Sequence, residues 1–393
     1  MNILKYTICV LVFVLSFCSC KVPYTPPPIT AVSNYLVVEG LINIADSTYI
    51  TLSRTVNISA ASTVKPELKA VITIESNTGN SYPLTELGKG VYAAANFNLS
   101  AANQYRLRIK TSNGNTYTSD FTPAMVSPPI DSLTWKATAS SLNIYVNTHD
   151  PNNATRYYRW DFTEEWEFHT NYNSQEISNG LQIINRLPGQ QIYFCYTGDA
   201  STNITVGTSA GLSQDVISNA LVNTILSSSE KIGLEYSINV KQYALTNDAY
   251  AYWALLQKNT QELGGIFDAQ PSATIGNIHN ITNPAEVVIG YISAGTTTNQ
   301  RIFITKKTQL PSSWFTIPLY PICDADSVDC CKTPLSSCAF INYLCLGYQG
   351  PLTQLIPINP IVHGTQQVGT LAAPPICVDC TLRGSSNRPS YWK

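Results

Sequence analysis

Short runs in which apolar and polar residues alternate make up much of this chain of 393 residues. Residues 48–54 (TYITLSR) place Ile50 and Leu52 on one side, and residues 69–75 (KAVITIE) repeat the pattern. A period of two is that of a half-buried β-strand. A series of about seven such runs within residues 29–129 predicts a β-sandwich of immunoglobulin or transthyretin type.

A hairpin is marked clearly in this N-terminal unit. Residues 105–111 and 116–119 alternate, and the turn sequence SNGN lies between them at residues 112–115. An Asn-Gly pair between alternating runs indicates a hairpin, because both residues tolerate positive φ. Pro123 and the following prolines at 128 and 129 indicate the end of the unit.

Residues 130–317 predict a second β domain with a helical insertion at about residues 213–263. Residues 213–226 predict a short helix, and residues 249–263 predict a longer one. Thr246 and its neighbours are expected to cap the start of the longer helix, and the glycines at 264 and 265 are expected to end it. Strands are expected at residues 131–135, 142–146, 156–162, 191–196, 235–243, 287–292 and 301–305. The fold class is therefore mainly β: two immunoglobulin-, transthyretin- or fibronectin-like β-sandwich domains, a helical insertion and a disulfide-rich C-terminal segment at residues 318–393.

The N-terminus predicts export and lipidation. The apolar stretch at residues 7–17 is too short to cross a bilayer, which takes about 20 residues, and is typical of a signal peptide. It ends before Cys20, which follows the small Ser19 as in a bacterial lipobox. We expect a signal peptide at residues 1–19, lipid attachment at Cys20 and a Pro-rich tether at residues 20–28. An ordinary secretory signal is the alternative.

Eight cysteines remain after the signal and the lipid site are removed. An even number in an exported chain indicates up to four disulfides, whose pairing the sequence leaves open. The candidates are Cys195, Cys323, Cys330, Cys331, Cys338, Cys345, Cys377 and Cys380. A zinc site at Cys377 and Cys380 and a calcium site at residues 324–329 are weaker alternatives, so no metal is expected.

Composition and motifs reduce the number of function classes that this chain can belong to. With 23 Lys and Arg against 25 Asp and Glu, the chain lacks the positive charge of a nucleic-acid binder. The four histidines form none of the familiar hydrolase motifs, so we expect no catalytic residues, no cofactor and no enzyme activity. The 23 tyrosines favour binding, because Tyr offers a large contact area with a polar tip.

Candidate binding residues lie in three places. Trp166, Phe168 and His169 continue a strand whose Tyr158, Trp160 and Phe162 are expected in the core, and Glu164, Glu165 and Glu167 are expected on a solvated edge strand. Tyr250 and Trp253 lie on the longer helix, and Phe267 lies in a Gly-rich loop.

Ten runs and the tail together resemble an uncharacterised family of Bacteroidota outer-membrane lipoproteins, domain of unknown function 4249. The runs are YLVVEGLI (35–42), LSRT (52–55), YRLRI (105–109), IDSL (130–133), WEFH (166–169), VKQY (240–243), AYAYW (249–253), GIFDAQPS (265–272), GNI (276–278) and GYI (290–292), followed by CVDC (377–380). The resemblance implies an outer-membrane lipoprotein, often encoded near TonB-dependent transporters, and implies no activity.

These observations lead to one preferred function and two alternatives. We expect a lipid-anchored accessory or substrate-capture subunit of a TonB-dependent transporter, held at the outer membrane on its periplasmic or cell-surface face, with a glycan or peptide ligand. A surface adhesin or glycan-binding lipoprotein is the first alternative. The second alternative is a hydrolase with a site near Glu165 and His169.

Overall fold

The computed structural model describes residues 34–56, 64–178, 183–261, 275–320, 322–329 and 355–392. The predicted signal peptide, the lipid site and the tether lie outside these residues, as do Phe267, Cys330, Cys331, Cys338 and Cys345. Strands predominate in the described residues, which confirms the mainly β fold class. No helix in those ranges has the length and apolar character needed to cross a bilayer.

The N-terminal unit begins with nine strands in chain order. They are β1 (Leu36–Asn43), β2 (Thr48–Arg54), β3 (Lys65–Pro66), β4 (Val71–Ser76), β5 (Ser81–Gly88), β6 (Val91–Ala94), β7 (Gln104–Lys110), β8 (Thr116–Ser119) and β9 (Thr122–Met125). Alternation sets their faces: in β4, Ile72 and Ile74 are buried. The predicted hairpin joins β7 to β8, and Gly114 supplies a φ of 92° at its turn.

The second unit continues with nine strands and a helix. They are β10 (Ile130–Ala137), β11 (Ser141–Asp150), β12 (Tyr157–His169), β13 (Glu176–Ser178), β14 (Ile183–Asn185), β15 (Phe194–Ala200), β16 (Thr205–Thr208), β17 (Asp215–Leu226), β18 (Glu235–Leu245) and α1 (Asn247–Gln261). The expected helix at residues 249–263 is α1, and Thr246 caps it: its side-chain oxygen accepts from the Ala249 N–H at 3.2 Å.

The remaining strands are β19 (Ile278–Asn280), β20 (Ser293–Gly295), β21 (Thr297–Thr305), β22 (Asp326–Asp329), β23 (Ile356–His363) and β24 (Gln366–Ala373). Single helical turns lie at Pro188–Gln190, Glu230–Ile232, Lys306–Gln309, Pro375–Val378 and Cys380–Leu382.

The N-terminal strands form one sheet that folds back on itself. Its order is β19-β8-β7-β4-β5-β6-β2-β1-β20-β9, and β9 also pairs with β7. The enclosed core includes Leu36, Ile50, Ile72 and Tyr92. Two strands of this sheet, β19 and β20, come from residues 278–295, which lie within the predicted second domain at residues 130–317.

The expected strand at residues 287–292 of the second unit is wrong, because these residues form no strand and lie against β1 of the N-terminal unit. These residues make one isolated bridge, between Ile289 and Val37, and β20 then pairs in parallel with β1. Parallel neighbours require a long connection, and here most of the second unit forms it. Such a pairing has no local sequence signal.

The second unit is a sandwich of two sheets. A three-stranded sheet (β10-β11-β17) packs against a five-stranded sheet in which β12 lies between β15 and β18, β21 pairs with β18, and β16 pairs with β12. Leu142, Ile144 and Val146 from the smaller sheet share a core with Trp160 and Ile238 from the larger one.

The predicted short helix at residues 213–226 is wrong, because this segment is the strand β17. It pairs with β11 along its whole length, with two register shifts. Asn219, with a φ of 52°, lies where the strand is irregular. Bulges shift the alternation by one residue, so Val216, Ala220 and Leu221 acquire a spacing that resembles one helix face.

The C-terminal segment contains two disulfides, as expected for a disulfide-rich segment: one links it to the second unit, and the other lies within the segment. Cys195 pairs with Cys380, and Cys323 pairs with Cys377. The segment also forms a sheet of its own, in the order β22-β24-β23. A small apolar cluster around Ile358 includes Tyr172 and Ile192 of the second unit, so this sheet packs against that unit.

Candidate ligand-binding cleft

A cleft of about 380 Å³ lies between the N-terminal unit and the second unit. One wall is formed by the outer surface of β1 and β2. The opposite wall is formed by β12, β18 and α1, and the segment at residues 289–291 completes the lining. Four of the runs that carry the family resemblance contribute to it, at residues 35–42, 240–243, 249–253 and 290–292.

The alternation of β1 explains the first wall. Leu36, Val38 and Ile42 point into the N-terminal core, so Glu39 and Leu41 point outward into the cleft. Tyr49 of β2 pairs with Leu41 and is 57% exposed. This wall is thus apolar and aromatic with one acidic residue.

Close packing of backbones supports this wall. Ile289 and β1 exchange hydrogen bonds: the Val38 N–H donates to the Ile289 carbonyl at 2.9 Å, and the Ile289 N–H donates to the Leu36 carbonyl at 2.9 Å. Gly290 follows, with a φ of 129°, and a Cβ there would lie 2.0 Å from the Val38 carbonyl oxygen. Only glycine fits this approach.

An arginine and two aromatic rings form the centre of the second wall. The Arg159 guanidinium carbon lies 4.3 Å from the ring centroid of Tyr243 and 4.1 Å from that of Trp253. Its Nη2 donates to Asp161 at 2.9 Å, whereas its buried Nε has no hydrogen-bond partner within the described ranges. Burial raises the pKa of Tyr243, and the Asp161 carboxylate raises it further, so the phenol is neutral at neutral pH.

Tyr252 joins α1 to the segment at residues 289–291. Its buried ring packs 5.2 Å from Tyr291 and 5.4 Å from Trp253, measured between centroids. Burial raises the pKa of Tyr252, and the nearby Glu39 carboxylate raises it further. Glu39 and Tyr252 both line the cleft, from opposite walls.

The junction beneath the cleft is fixed by hydrogen bonds. The chain crosses between the units at residues 126–129 and again at residues 295–297. The Ser127 N–H donates to Thr296 Oγ1, and the Thr296 N–H donates to the Met125 carbonyl, each at 2.9 Å. Buried Gln242 accepts from Trp160 Nε1 at 2.9 Å and donates to the Pro128 carbonyl at 2.9 Å. These hydrogen bonds fix the orientation of the two units, and therefore of the two walls of the cleft, relative to each other.

The predicted binding residues are not brought together. Trp253 lies in the cleft, whereas Tyr250 packs against Tyr157 with a centroid distance of 5.1 Å. Trp166 and Phe168 are 8% and 2% exposed and belong to the core of the second sandwich, so their assignment as binding residues is wrong. His169 is exposed elsewhere and stacks on Tyr193 at 5.0 Å.

The glutamates of β12 have partners within the protein. The expected edge strand is wrong, because β12 pairs on both sides. Glu164 lies inside the sandwich, 2.5 Å from Lys231 Nζ, and accepts from the Tyr236 hydroxyl at 2.6 Å. Glu165, on the outer face, pairs with Arg301 at 2.8 Å.

Glu165 and His169, the expected centre of a hydrolase site, lie on the same face of β12 but are four positions apart. At about 3.3 Å per residue, their backbones are separated by about 13 Å. The two side chains are therefore beyond mutual hydrogen-bonding distance.

The alternative metal sites receive no support from the geometry. Cys377 and Cys380 are bound in separate disulfides. Across the described ranges, no three His, Cys, Asp or Glu side chains are grouped as metal ligands would be.

The fold and the cleft define a mainly β protein of two packed units, with a ligand-sized cleft between them and a disulfide-linked C-terminal segment. Residues 21–301 match the family described as domain of unknown function DUF4249, and the chain belongs to this family. The family match includes both walls of the cleft. No curated protein matches the sequence.

Two solved structures show partial similarity. A segment of two fibronectin type-III domains from chicken tenascin aligns with 54% of this chain and 91% of its own, at 10% identity and a TM-score of 0.16. A chitinase from Bacillus thuringiensis aligns with 52% of this chain and 30% of its own, at 15% identity and a TM-score of 0.15. With TM-scores this low, neither structure supports an argument about this chain.

Proposed function

We propose that this protein is a lipid-anchored, non-catalytic protein of the bacterial outer membrane that captures a ligand in the cleft between its two units. In this proposal it acts as an accessory subunit that presents the ligand to a TonB-dependent transporter. The observation that carries the proposal is the cleft itself, which has walls from both units and a fixed junction beneath it.

The chemistry of the cleft supports binding. Small-molecule sites are concave, of about 300–1,000 Å³, and combine aromatic surface with a few polar groups. This cleft has a volume of about 380 Å³ and is lined by Tyr49, Tyr243, Tyr252, Trp253 and Tyr291 together with three charged side chains. Its walls lie on strands and a helix, so the lining is held in place before a ligand arrives.

The position of the N-terminus supports a role near the membrane. Asn34, the first described residue, is held on the N-terminal unit: its N–H donates to Thr55 Oγ1 at 3.0 Å, and its carbonyl accepts from Arg54 at 3.2 Å. The chain then enters β1, the first wall of the cleft. The 14 residues from Cys20 to residue 33 span at most about 50 Å, so a lipid at Cys20 would keep the cleft close to a membrane transporter.

Replacing Leu41 by Trp tests this proposal by filling the cleft. We expect wild-type protein, purified from membranes of its own cells in mild detergent, to bring down a TonB-dependent transporter and to carry a small molecule detectable by native mass spectrometry. The L41W variant should still bring down the transporter but should lose the small molecule. A Cys20→Ala variant should leave the membrane fraction.

The matched control is Leu87→Trp on β5, where the side chain is 64% exposed and does not line the cleft. L87W should behave as wild type. Purification without any transporter would contradict the accessory role. Retention of the same small molecule by L41W would contradict the cleft as its site.

A further inference from the structure

Two opposite charges line the cleft without an internal partner. Glu39 extends from the β1 wall and Lys241 from the β18 wall, and both are exposed. Neither forms an ion pair or a hydrogen bond with any other residue that the structure describes. The Lys241 ammonium lies 5.8 Å from the ring centroid of Tyr243, which is a weak contact.

Other charged groups on the same face of the five-stranded sheet have partners. Arg159 pairs with Asp161 at 2.9 Å, and Glu165 pairs with Arg301 at 2.8 Å. The absence of a partner at Lys241 is thus specific to the part of this face that borders the cleft.

Arg159 adds a second positive charge beside Lys241. In the pairing of β12 with β18, Arg159 is opposite Tyr243 and Asp161 is opposite Lys241. Arg159 and Lys241 are therefore diagonal neighbours on one face, about 7–8 Å apart at the backbone. Because Asp161 pairs with Arg159, these three groups leave one net positive charge on this wall, and the opposite wall carries the Glu39 carboxylate.

We propose that the ligand is a short peptide with free termini. This inference rests on the proposed function of the cleft. The peptide ammonium group binds the Glu39 carboxylate, and the peptide carboxylate binds Lys241 with Arg159 beside it. An apolar side chain of the peptide packs between Tyr49 and Trp253, because these rings supply the aromatic surface of the two walls.

The size of the cleft suits a peptide of two or three residues. A sphere of 380 Å³ is about 9 Å across, and three extended residues span about 10 Å. A neutral oligosaccharide could stack on the same rings, but it would leave Glu39 and Lys241 unpaired. The two opposite charges therefore favour the peptide.

Equilibrium dialysis of the intact purified protein against a mixed tripeptide library tests this inference. The same library is also used with acetylated N-termini and with amidated C-termini, and retained peptides are quantified by mass spectrometry. We expect wild type to retain the free library. Glu39→Gln should weaken that retention about tenfold and leave retention of the acetylated library unchanged, because the lost charge pair is already absent there.

Lys241→Gln should weaken retention of the free library and leave retention of the amidated library unchanged, because the charge pair with the peptide carboxylate is already absent there. Lys136→Gln and Asp324→Asn remove exposed charges that do not line the cleft and should have no effect. Equal retention of the free, acetylated and amidated libraries by wild type would overturn the inference, as would equal retention of the free library by wild type and both cleft variants.

A neutral oligosaccharide mixture, dialysed in parallel, separates this inference from the proposed function. If oligosaccharides are retained in place of peptides, and L41W abolishes the retention, the peptide is wrong while the cleft remains a binding site. If L41W retains every compound that wild type retains, the cleft itself is wrong.

Discussion

Replacing Cys195 and Cys380 together by serine is expected to lower the free energy of unfolding by about 5 kcal/mol. The two residues are 185 positions apart in the chain. A cross-link that closes a loop of this length lowers the conformational entropy of the unfolded chain, which stabilises the folded state by about 5 kcal/mol. Chemical denaturation of the purified protein measures the change.

Serine at these positions should also release the C-terminal tail from β15. Next to the disulfide, Ser385 exchanges two backbone hydrogen bonds with Tyr196, at 2.8 and 2.9 Å. Arg383 pairs with Glu230 through two contacts, at 2.8 and 3.2 Å, and lies over the Phe168 ring at 4.3 Å. The cross-link holds these groups where they can meet.

The second disulfide provides the comparison. Cys323 and Cys377 are 54 positions apart, so their joint replacement by serine should cost less, about 4 kcal/mol. A loss below about 1 kcal/mol for the Cys195–Cys380 pair would contradict the assigned role of this cross-link.

Replacing Gly290 by Ala is expected to cost at least about 3 kcal/mol of stability and to abolish ligand retention by the cleft. The new Cβ would lie 2.0 Å from the Val38 carbonyl oxygen and would force β1 away from residues 289–291. The positive φ adds about 1–2 kcal/mol of strain. Thermal unfolding and dialysis against the free tripeptide library measure the two effects.

Gly114→Ala is the matched control. Gly114 also has a positive φ, of 92°, but a Cβ there would meet nothing within 4 Å. This variant should therefore show the strain alone, about 1–2 kcal/mol, and should retain ligand as wild type does. Equal costs at the two glycines would show that the close approach of residues 289–291 to β1 is not a constraint.

Local features of the fold were predictable from the sequence. The Asn-Gly turn between β7 and β8 and the capped helix α1 follow from residues adjacent in the chain. Long-range features were not predictable. The parallel pairing of β20 with β1 joins segments about 250 residues apart, and the bulges in β17 removed the alternation that would have identified that strand.

Two errors at the candidate sites have different causes. Trp166 and Phe168 share the face of β12 that carries Tyr158 and Trp160, so the alternation alone predicts that they lie in the core, whereas their aromatic character does not distinguish core from binding surface. Glu39, by contrast, gave no signal, because an outward-facing carboxylate on a strand is typical of a solvated surface. Only the packing of the second unit against β1 makes it part of a cleft.

Hydrogen–deuterium exchange with and without the small-molecule extract of the protein's own cells tests most directly whether both units form one binding site. We predict that the extract slows exchange at the same time in residues 36–43, 240–245, 248–257 and 288–292, and that L41W abolishes this protection. Protection confined to one unit, or protection that persists unchanged in L41W, would contradict a shared site.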